Sequence, residues 1–162
     1  MVERKPVIGV MGGGADDGRT EELAEETGRL IAERGGMLVC GGGAGVMRAA
    51  SRGAAGAGGI VIGILPGSDA GEANEYVTVP VATGMGNARN VINVLTAGAV
   101  IAIRGSYGTL SEIALALKCG RPVVSLESWD IGSMGGVRDS LFSRAETPEE
   151  AVEKAFSAIA KR

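Results

Sequence analysis

Short apolar runs closed by glycine alternate along this chain with longer stretches in which apolar residues recur three and four positions apart. Val7-Ile8-Gly9-Val10-Met11, Met37-Leu38-Val39-Cys40, Ile60 to Leu65, Tyr76-Val77-Thr78-Val79, Ala99 to Ile103 and Pro122 to Leu126 are short and rich in β-branched residues, and read as strands. Thr20 to Arg34 predicts an amphipathic helix. Leu23, Leu30 and Ile31 share one of its faces, Glu21, Glu22, Glu25 and Glu26 crowd its early turns, where acids suit the helix dipole, and Gly35-Gly36 ends it. An Ala-rich helix begins near Val46, another spans Asn87 to Ala97, and a third follows Thr109 with Leu110, Ile113, Ala114 and Leu117 as its stripe. Thr147-Pro148-Glu149-Glu150 combines an N-cap, Pro at the first helical position and a capping-box Glu, so it opens a last helix running to about Ala160. Residues 68–75 read as an exposed loop and 129–136 as Gly-rich and irregular.

Strands alternating with helices imply a parallel sheet covered on both faces. With right-handed crossovers the expected fold is α/β: a single-domain, doubly wound, Rossmann-like three-layer sandwich with a mainly parallel sheet, over residues 1–162. Such sheets bind ligands at the carboxyl ends of their strands, near a topological switch point. The Gly-rich loops at 12–18, 41–45 and 104–109 all fall at strand ends and should converge on one crevice.

Composition narrows the chemistry. At 162 residues the chain is long enough for a core of its own, and with only 3% aromatics that core must be Val, Ile, Leu, Ala and Met. A net charge of −3 with no basic tail argues against a nucleic-acid partner. Histidine is absent, which excludes a His base, a Ser-His-Asp triad and any His metal site. Cys40 and Cys119 have no metal or redox spacing and read as two buried thiols in a reducing cytoplasm. No signal-peptide pattern opens the chain, and no apolar run reaches the ~18 residues of a membrane span.

The richest stretch is Arg104-Gly105-Ser106-Tyr107-Gly108-Thr109-Leu110-Ser111-Glu112, where a strand breaks into a glycine-containing loop that opens a helix. Helix-start N–H groups lack internal partners and carry the positive end of the dipole, so the loop suits a phosphate. Gly12, Gly14 and Gly18 have one residue too many for a dinucleotide fingerprint, Cys40-Gly41 stands where a ribose-binding acid belongs, and no P-loop motif occurs. Asp16 and Asp17 read as solvated acids near a helix start, and Met11, Met47 and Met85 as packing residues. Ser106, with no His or Lys base nearby in sequence, does not read as a nucleophile.

Gly41-Gly42-Gly43-Ala44-Gly45-Val46-Met47, Met85-Gly86-Asn87-Ala88-Arg89-Asn90 and Gly105 to Glu112, in that order, resemble the LOG-like family of Rossmann-type proteins, first described as lysine decarboxylases. The resemblance spans roughly Val7 to Ala160. It implies one of two functions: phosphoribohydrolases that split a nucleoside 5′-monophosphate into free base and ribose 5-phosphate, or a shorter branch of molybdenum-cofactor carrier proteins that bind a pterin phosphate. This chain resembles the short branch. Arg104 and Ser106 stand where the hydrolase signature P-G-G-x-G-T-x-x-E has Pro and Gly, and Ala88-Arg89-Asn90 stands where hydrolases usually have Arg-Lys.

The resemblance makes Glu112 and Arg89 the catalytic candidates, with Arg89 paired to Glu112 and touching the ligand. Gly12, Gly13, Gly42, Gly43, Gly105, Ser106, Tyr107, Gly108 and Thr109 become the phosphate-binding set. Thr109 and Glu112 also form the T-x-x-E of a capping box, so both readings stand for them. Arg104 reads either as an anion contact or as loop surface. The ligand expected is a molybdopterin-type or nucleoside-monophosphate molecule, with no further cofactor and no metal. Surplus apolar residues on the helices after Asn87 and Thr109 point to a homodimer or homotetramer. Lys5, Lys118, Lys154 and Lys161 all lie outside the signature loops, so a pyridoxal-phosphate decarboxylase has no support.

Overall fold

The computed structural model describes all residues except Glu3, Ala15, Asp16, Gly135, Gly136 and Arg162, and leaves undescribed the side chains of Met134, Val137 and Arg138. Its strands are β1 (Val7–Gly12), β2 (Met37–Cys40), β3 (Val61–Leu65), β4 (Val79–Ala82), β5 (Ala99–Ile103), β6 (Val123–Leu126), β7 (Ser133–Met134), β8 (Val137–Arg138) and β9 (Phe142–Ala145). Its helices are α1 (Gly18–Glu33), α2 (Val46–Gly56), α3 (Asn90–Thr96), α4 (Tyr107–Lys118) and α5 (Pro148–Ala160). Seven strands form one sheet in the order β4-β3-β2-β1-β5-β6-β9, every pairing parallel, while β7 and β8 make a separate antiparallel hairpin. The order reverses between β1 and β5, whose register runs from Ile8 beside Ala99 to Gly12 beside Ile103. This is the expected α/β architecture, with the switch point at the sheet centre.

Alternating side chains feed two cores. Ile8, Val10, Ile101 and Ile103 point to one face and pack with Ala24 and Ile31 of α1, Ala50 of α2 and Val152 of α5. Met11, Val100 and Ala102 point to the other and pack with Val94 of α3 and Ile113 of α4. The central strands are thus buried on both sides, which is why they read as continuous apolar runs and not as alternating ones.

Two glycines set how closely α1 and α2 approach. A Cβ on Gly28 would run into the carbonyl oxygen of Ala50, and one on Gly53 into that of Glu25. Each helix therefore lays bare backbone against the other. This puts Arg52 within reach of Glu25, at 2.6 Å.

Several elements differ from expectation. The fourth strand lies three residues later than its apolar run, because Asn74 first makes a turn: its side chain accepts from Tyr76 N–H at 3.1 Å and its carbonyl from Val77 N–H at 3.1 Å. Pro80 is tolerated within β4 because β4 is an edge strand. The helix expected from Asn87 splits into a 3₁₀ turn at Gly86–Arg89 and then α3. β9 leaves no clear strand pattern in the sequence because Phe142-Ser143-Arg144-Ala145 is short, carries a charge and pairs on one side only. Part of the irregular 129–136 stretch is the β7 arm of the hairpin, and the rest of that turn lies outside the described residues.

Asp17 caps α1 by accepting from Thr20 N–H at 2.9 Å, and this bonding to Thr20 holds its carboxyl below the usual range. Asp16 lies outside the described residues. Cys40 is buried but Cys119 only half-buried, so the expectation of two buried thiols holds for the first alone. No helix of the described residues is long and apolar enough to cross a membrane.

Gly28→Ala and Gly53→Ala should each destabilise the protein by about 1–3 kcal/mol, because backbone cannot yield as a flexible side chain can and overpacking outweighs the gain in helix propensity. Urea denaturation of each variant measures this, and equal or higher stability would show that α1 and α2 can separate freely.

Candidate functional site

The site grows out of the switch point. β1, β2 and β5 each deliver a loop at their carboxyl ends, and Val46 N–H donates to Gly13 O at 3.0 Å, clasping the first two loops together. The third loop leads into α4. Its N-cap, Ser106, makes no side-chain capping bond, and Leu110 N–H bonds back to Ser106 O at 3.0 Å. The N–H groups of Tyr107, Gly108 and Thr109 therefore lie ahead of the helical ladder, at the positive end of the dipole.

These loops enclose a cavity of about 180 Å³. Gly12, Gly13, Gly14 and Gly41 form one wall, and Ser106, Gly108, Thr109 and Glu112 form another. Asn87, Arg89 and Asn90 close it from the 3₁₀ turn and the start of α3. A second hollow of about 290 Å³ adjoins it, sharing Gly13, Gly14 and Ser106 and adding Arg104, Gly105 and Asp17.

Glu112 is 7% exposed and accepts a hydrogen bond at Oε1 from Asn93 Nδ2 at 3.2 Å. Burial pushes its carboxyl up from 4.5 to about 7, against the Asn93 bond and the positive field of Arg89, which both lower it. The capping-box reading of Thr109 and Glu112 is therefore corrected: the cap is Ser106, Thr109 lies one turn further in, and Glu112 faces α3. The buried stripe of α4 is also rotated from expectation, to Thr109, Glu112, Ile113 and Ala116, leaving Ala114 exposed. Two polar residues in the inward face disguised its phase in the sequence.

Arg89 forms no direct ion pair with Glu112; its influence there is through space. Its guanidinium lies against Gly41, where a Cβ would collide with Nη1 and with Met47 Sδ. Its Nε is buried without a hydrogen-bond partner. A cation held this way in a wall of bare backbone is available to an anion in the cavity.

Other candidates fall in different places. Gly42 and Gly43 turn away from the cavity, and their carbonyls accept from Asn74, at 2.8 Å and 3.0 Å. Gly105 lines the second hollow. Tyr107 is 80% exposed and stacks on Trp129 outside the cavity. Arg104 takes a left-handed φ of 43° and binds Glu127 at 2.9 Å and Asp17 at 3.4 Å, so it bridges the loops after β5, β6 and β1. Met11 and Met47 pack in or against the core and also reach the cavity wall, whereas Met85 is 48% exposed and is no packing residue. Gly14, Gly41, Asn87 and Asn90 also line the cavity, without standing out in the sequence as ligand contacts. All but Gly14 lay within the motifs that carried the resemblance.

A model of the SLOG cluster4 family matches residues 5–157. An uncharacterised protein of Archaeoglobus fulgidus is 45% identical over 154 residues, covering 95% of this chain and 97% of its own. The molybdenum cofactor binding protein of the phototrophic bacterium Rippkaea orientalis has a structure similar to this one, with a TM-score of 0.89 at 42% identity over 98% of this chain and 99% of that one. The Moco carrier protein of Chlamydomonas reinhardtii is similar too, with a TM-score of 0.89 at 38% identity over 98% and 100%. The fold and site define a LOG-like, Rossmann-type protein with a crevice at its switch point lined by Arg89, Glu112 and the start of α4. The chain belongs to the SLOG cluster4 family.

Glu112 links the site to stability. Its carboxyl titrates higher in the folded protein than in the unfolded chain, so its contribution is full below about pH 4.5 and is lost as pH rises towards about 7, a fall of about 3 kcal/mol. Glu112→Gln should remove that decline: relative to wild type, the variant gains about 3 kcal/mol between about pH 4 and about pH 8 in urea titrations. A difference that stays constant with pH would show that Glu112 titrates like an exposed carboxylate.

Proposed function

We propose that this protein binds and carries a phosphorylated pterin of the molybdenum-cofactor class in the cytoplasm, holding it by its phosphate. The observation that carries this reading is Arg89: its Nε is buried without a partner, at the edge of a cavity shared with the opening turn of α4. Guanidinium and helix-start N–H groups recognise anions, so the phosphate is the natural handle for the cargo. The likeness to the Rippkaea orientalis and Chlamydomonas reinhardtii proteins supports the pterin as the rest of the ligand. Arg104 supports a carrier over a hydrolase, because its φ of 43° is closed to the proline that opens the hydrolase loop.

One observation favours a second reading. Glu112 lines the same cavity, and with its carboxyl raised to about 7 it can exchange a proton near neutral pH. A phosphoribohydrolase would use such a group at the C1′ of a nucleoside monophosphate. In the carrier, Arg89→Ala should weaken pterin-phosphate binding by about 1.5–3 kcal/mol, with no free base released from AMP, GMP or CMP by wild type. Fluorescence titration of the pterin and chromatography of the nucleotide mixtures test this. Steady turnover by wild type, lost in Glu112→Gln, would establish the hydrolase instead.

The chain assembles in this reading as a homodimer or homotetramer. Leu95 on α3 is 50% exposed, and Val79 and Val81 of the edge strand are exposed as well. An isologous contact would cover such a surface. Sedimentation at micromolar concentration should show a dimer or tetramer, and a single species of 16.3 kDa would refute the assembly.

A further inference from the structure

The chain contains one tryptophan and two tyrosines, and it places two of these three side by side at the signature loop, just outside the Arg89 cavity. Tyr107 is the first residue of α4, and Trp129 follows β6. Their ring centroids are 6.1 Å apart and their planes 30° apart, an offset stack. Tyr107 is nonetheless 80% exposed, an unusual setting for a large ring in a chain so poor in them.

The stack is fixed from behind. Trp129 Nε1 donates to the carbonyl of Ser106 at 3.2 Å, and its own carbonyl accepts from Ser125 Oγ at 2.9 Å. The indole therefore braces the very residue that caps α4. Ser128 Oγ donates to Arg104 O, which ties the same segment to the preceding residues of the loop.

The surface beside Trp129 is concave and shares lining residues with the hollow next to the site. Trp129, Arg104 and Gly105 line a recess of about 250 Å³. Arg104 and Gly105 also line the hollow of about 290 Å³, which in turn shares Gly13, Gly14 and Ser106 with the Arg89 cavity. The three concavities adjoin in series around the signature loop. Arg19 and Arg104 both bind Glu127, and this pairing holds its carboxyl below the usual range and stiffens the far end of the series.

We infer that Tyr107, backed by Trp129, is the stacking platform for the flat nitrogen heterocycle of the phosphorylated ligand, and so the element that selects a ring-bearing phosphate over a ringless one. The inference rests on the anion reading of the Arg89 cavity and adds the ring to it. A face-stacked aromatic needs no hydroxyl, so the selection lies in the phenyl ring of Tyr107. Every flat heterocycle has a π-face, and the platform favours a class of rings over a single base.

Trp129 reports on the platform directly, as the only tryptophan. GMP, whose 2-amino-6-oxopurine resembles the 2-amino-4-oxo ring system of a pterin, should quench its fluorescence, and ribose 5-phosphate should bind without quenching. Tyr107→Ala should weaken GMP binding by roughly 5- to 150-fold and leave ribose 5-phosphate unchanged. Tyr107→Phe should retain the wild-type affinity for GMP. Wild type that fails to bind GMP, or binds it no better than ribose 5-phosphate, overturns the platform. If Arg89→Ala weakens both phosphates while Tyr107→Ala weakens neither, the platform falls and the anion site stands. If Arg89→Ala weakens neither, the anion site fails and the platform falls with it.

Discussion

The structure depends on the pairing of β1 with β5. These two strands lie at the middle of the sheet and are buried on both faces, yet the chain leaves them towards opposite layers: β1 continues into α1 and β5 into α4. Loops that depart in opposite directions cannot close over one another, and a crevice opens between them. Hydrophobic burial of Ile8, Val10, Ile101 and Ile103 fixes this arrangement at about 1.5–3 kcal/mol for each side chain.

Polar groups in that crevice come from neighbouring elements of one layer, α4 and the turn-and-helix segment before β5. Arg89 comes from a 3₁₀ turn, Glu112 from α4, and Asn93, which binds Glu112, from α3. Asn90 also donates to Ser111 at 3.1 Å, so two side-chain bonds lock α3 to α4 across the mouth. Burial makes the Glu112 carboxyl harder to ionise, while the Asn93 bond and the nearby Arg89 charge act in the opposite direction. In the proposed carrier, the phosphate would meet the Arg89 guanidinium, the helix-start N–H groups of α4 and a carboxyl raised to about 7.

A second charge system serves a different purpose. Asp17, Arg104, Glu127 and Arg19 run across the outer ends of β1, β5 and β6. Arg104 and Glu127 both hold left-handed backbone, φ 43° and 50°, which residues with a Cβ adopt rarely. Their mutual ion pair offsets part of that cost. The result is a signature loop whose path differs from one that begins with proline. The neighbouring Tyr107–Trp129 stack is built on this altered path.

The sequence alone determined the layered fold and the convergence of its glycine loops, because burial on both faces and tight turns at strand ends leave direct marks in residue order. It also determined Glu112, Arg89 and the helix start at 107–109 as neighbours in one motif set. Weak marks were misread: β9 is brief and charged, β4 is displaced by the Asn74 turn, and the inward stripe of α4 contains Thr109 and Glu112, so its phase was set by the wrong leucines. Only the tertiary structure decided which glycines face the cavity. Gly41 lies against the Arg89 guanidinium while Gly42 and Gly43 bond to Asn74, and nothing local distinguishes them. It alone decided, too, that Glu112 is buried against Asn93 and that Tyr107 meets Trp129 across 22 positions, because both contacts join segments whose separation in space is set by the packing of the sheet and not by their order in the chain.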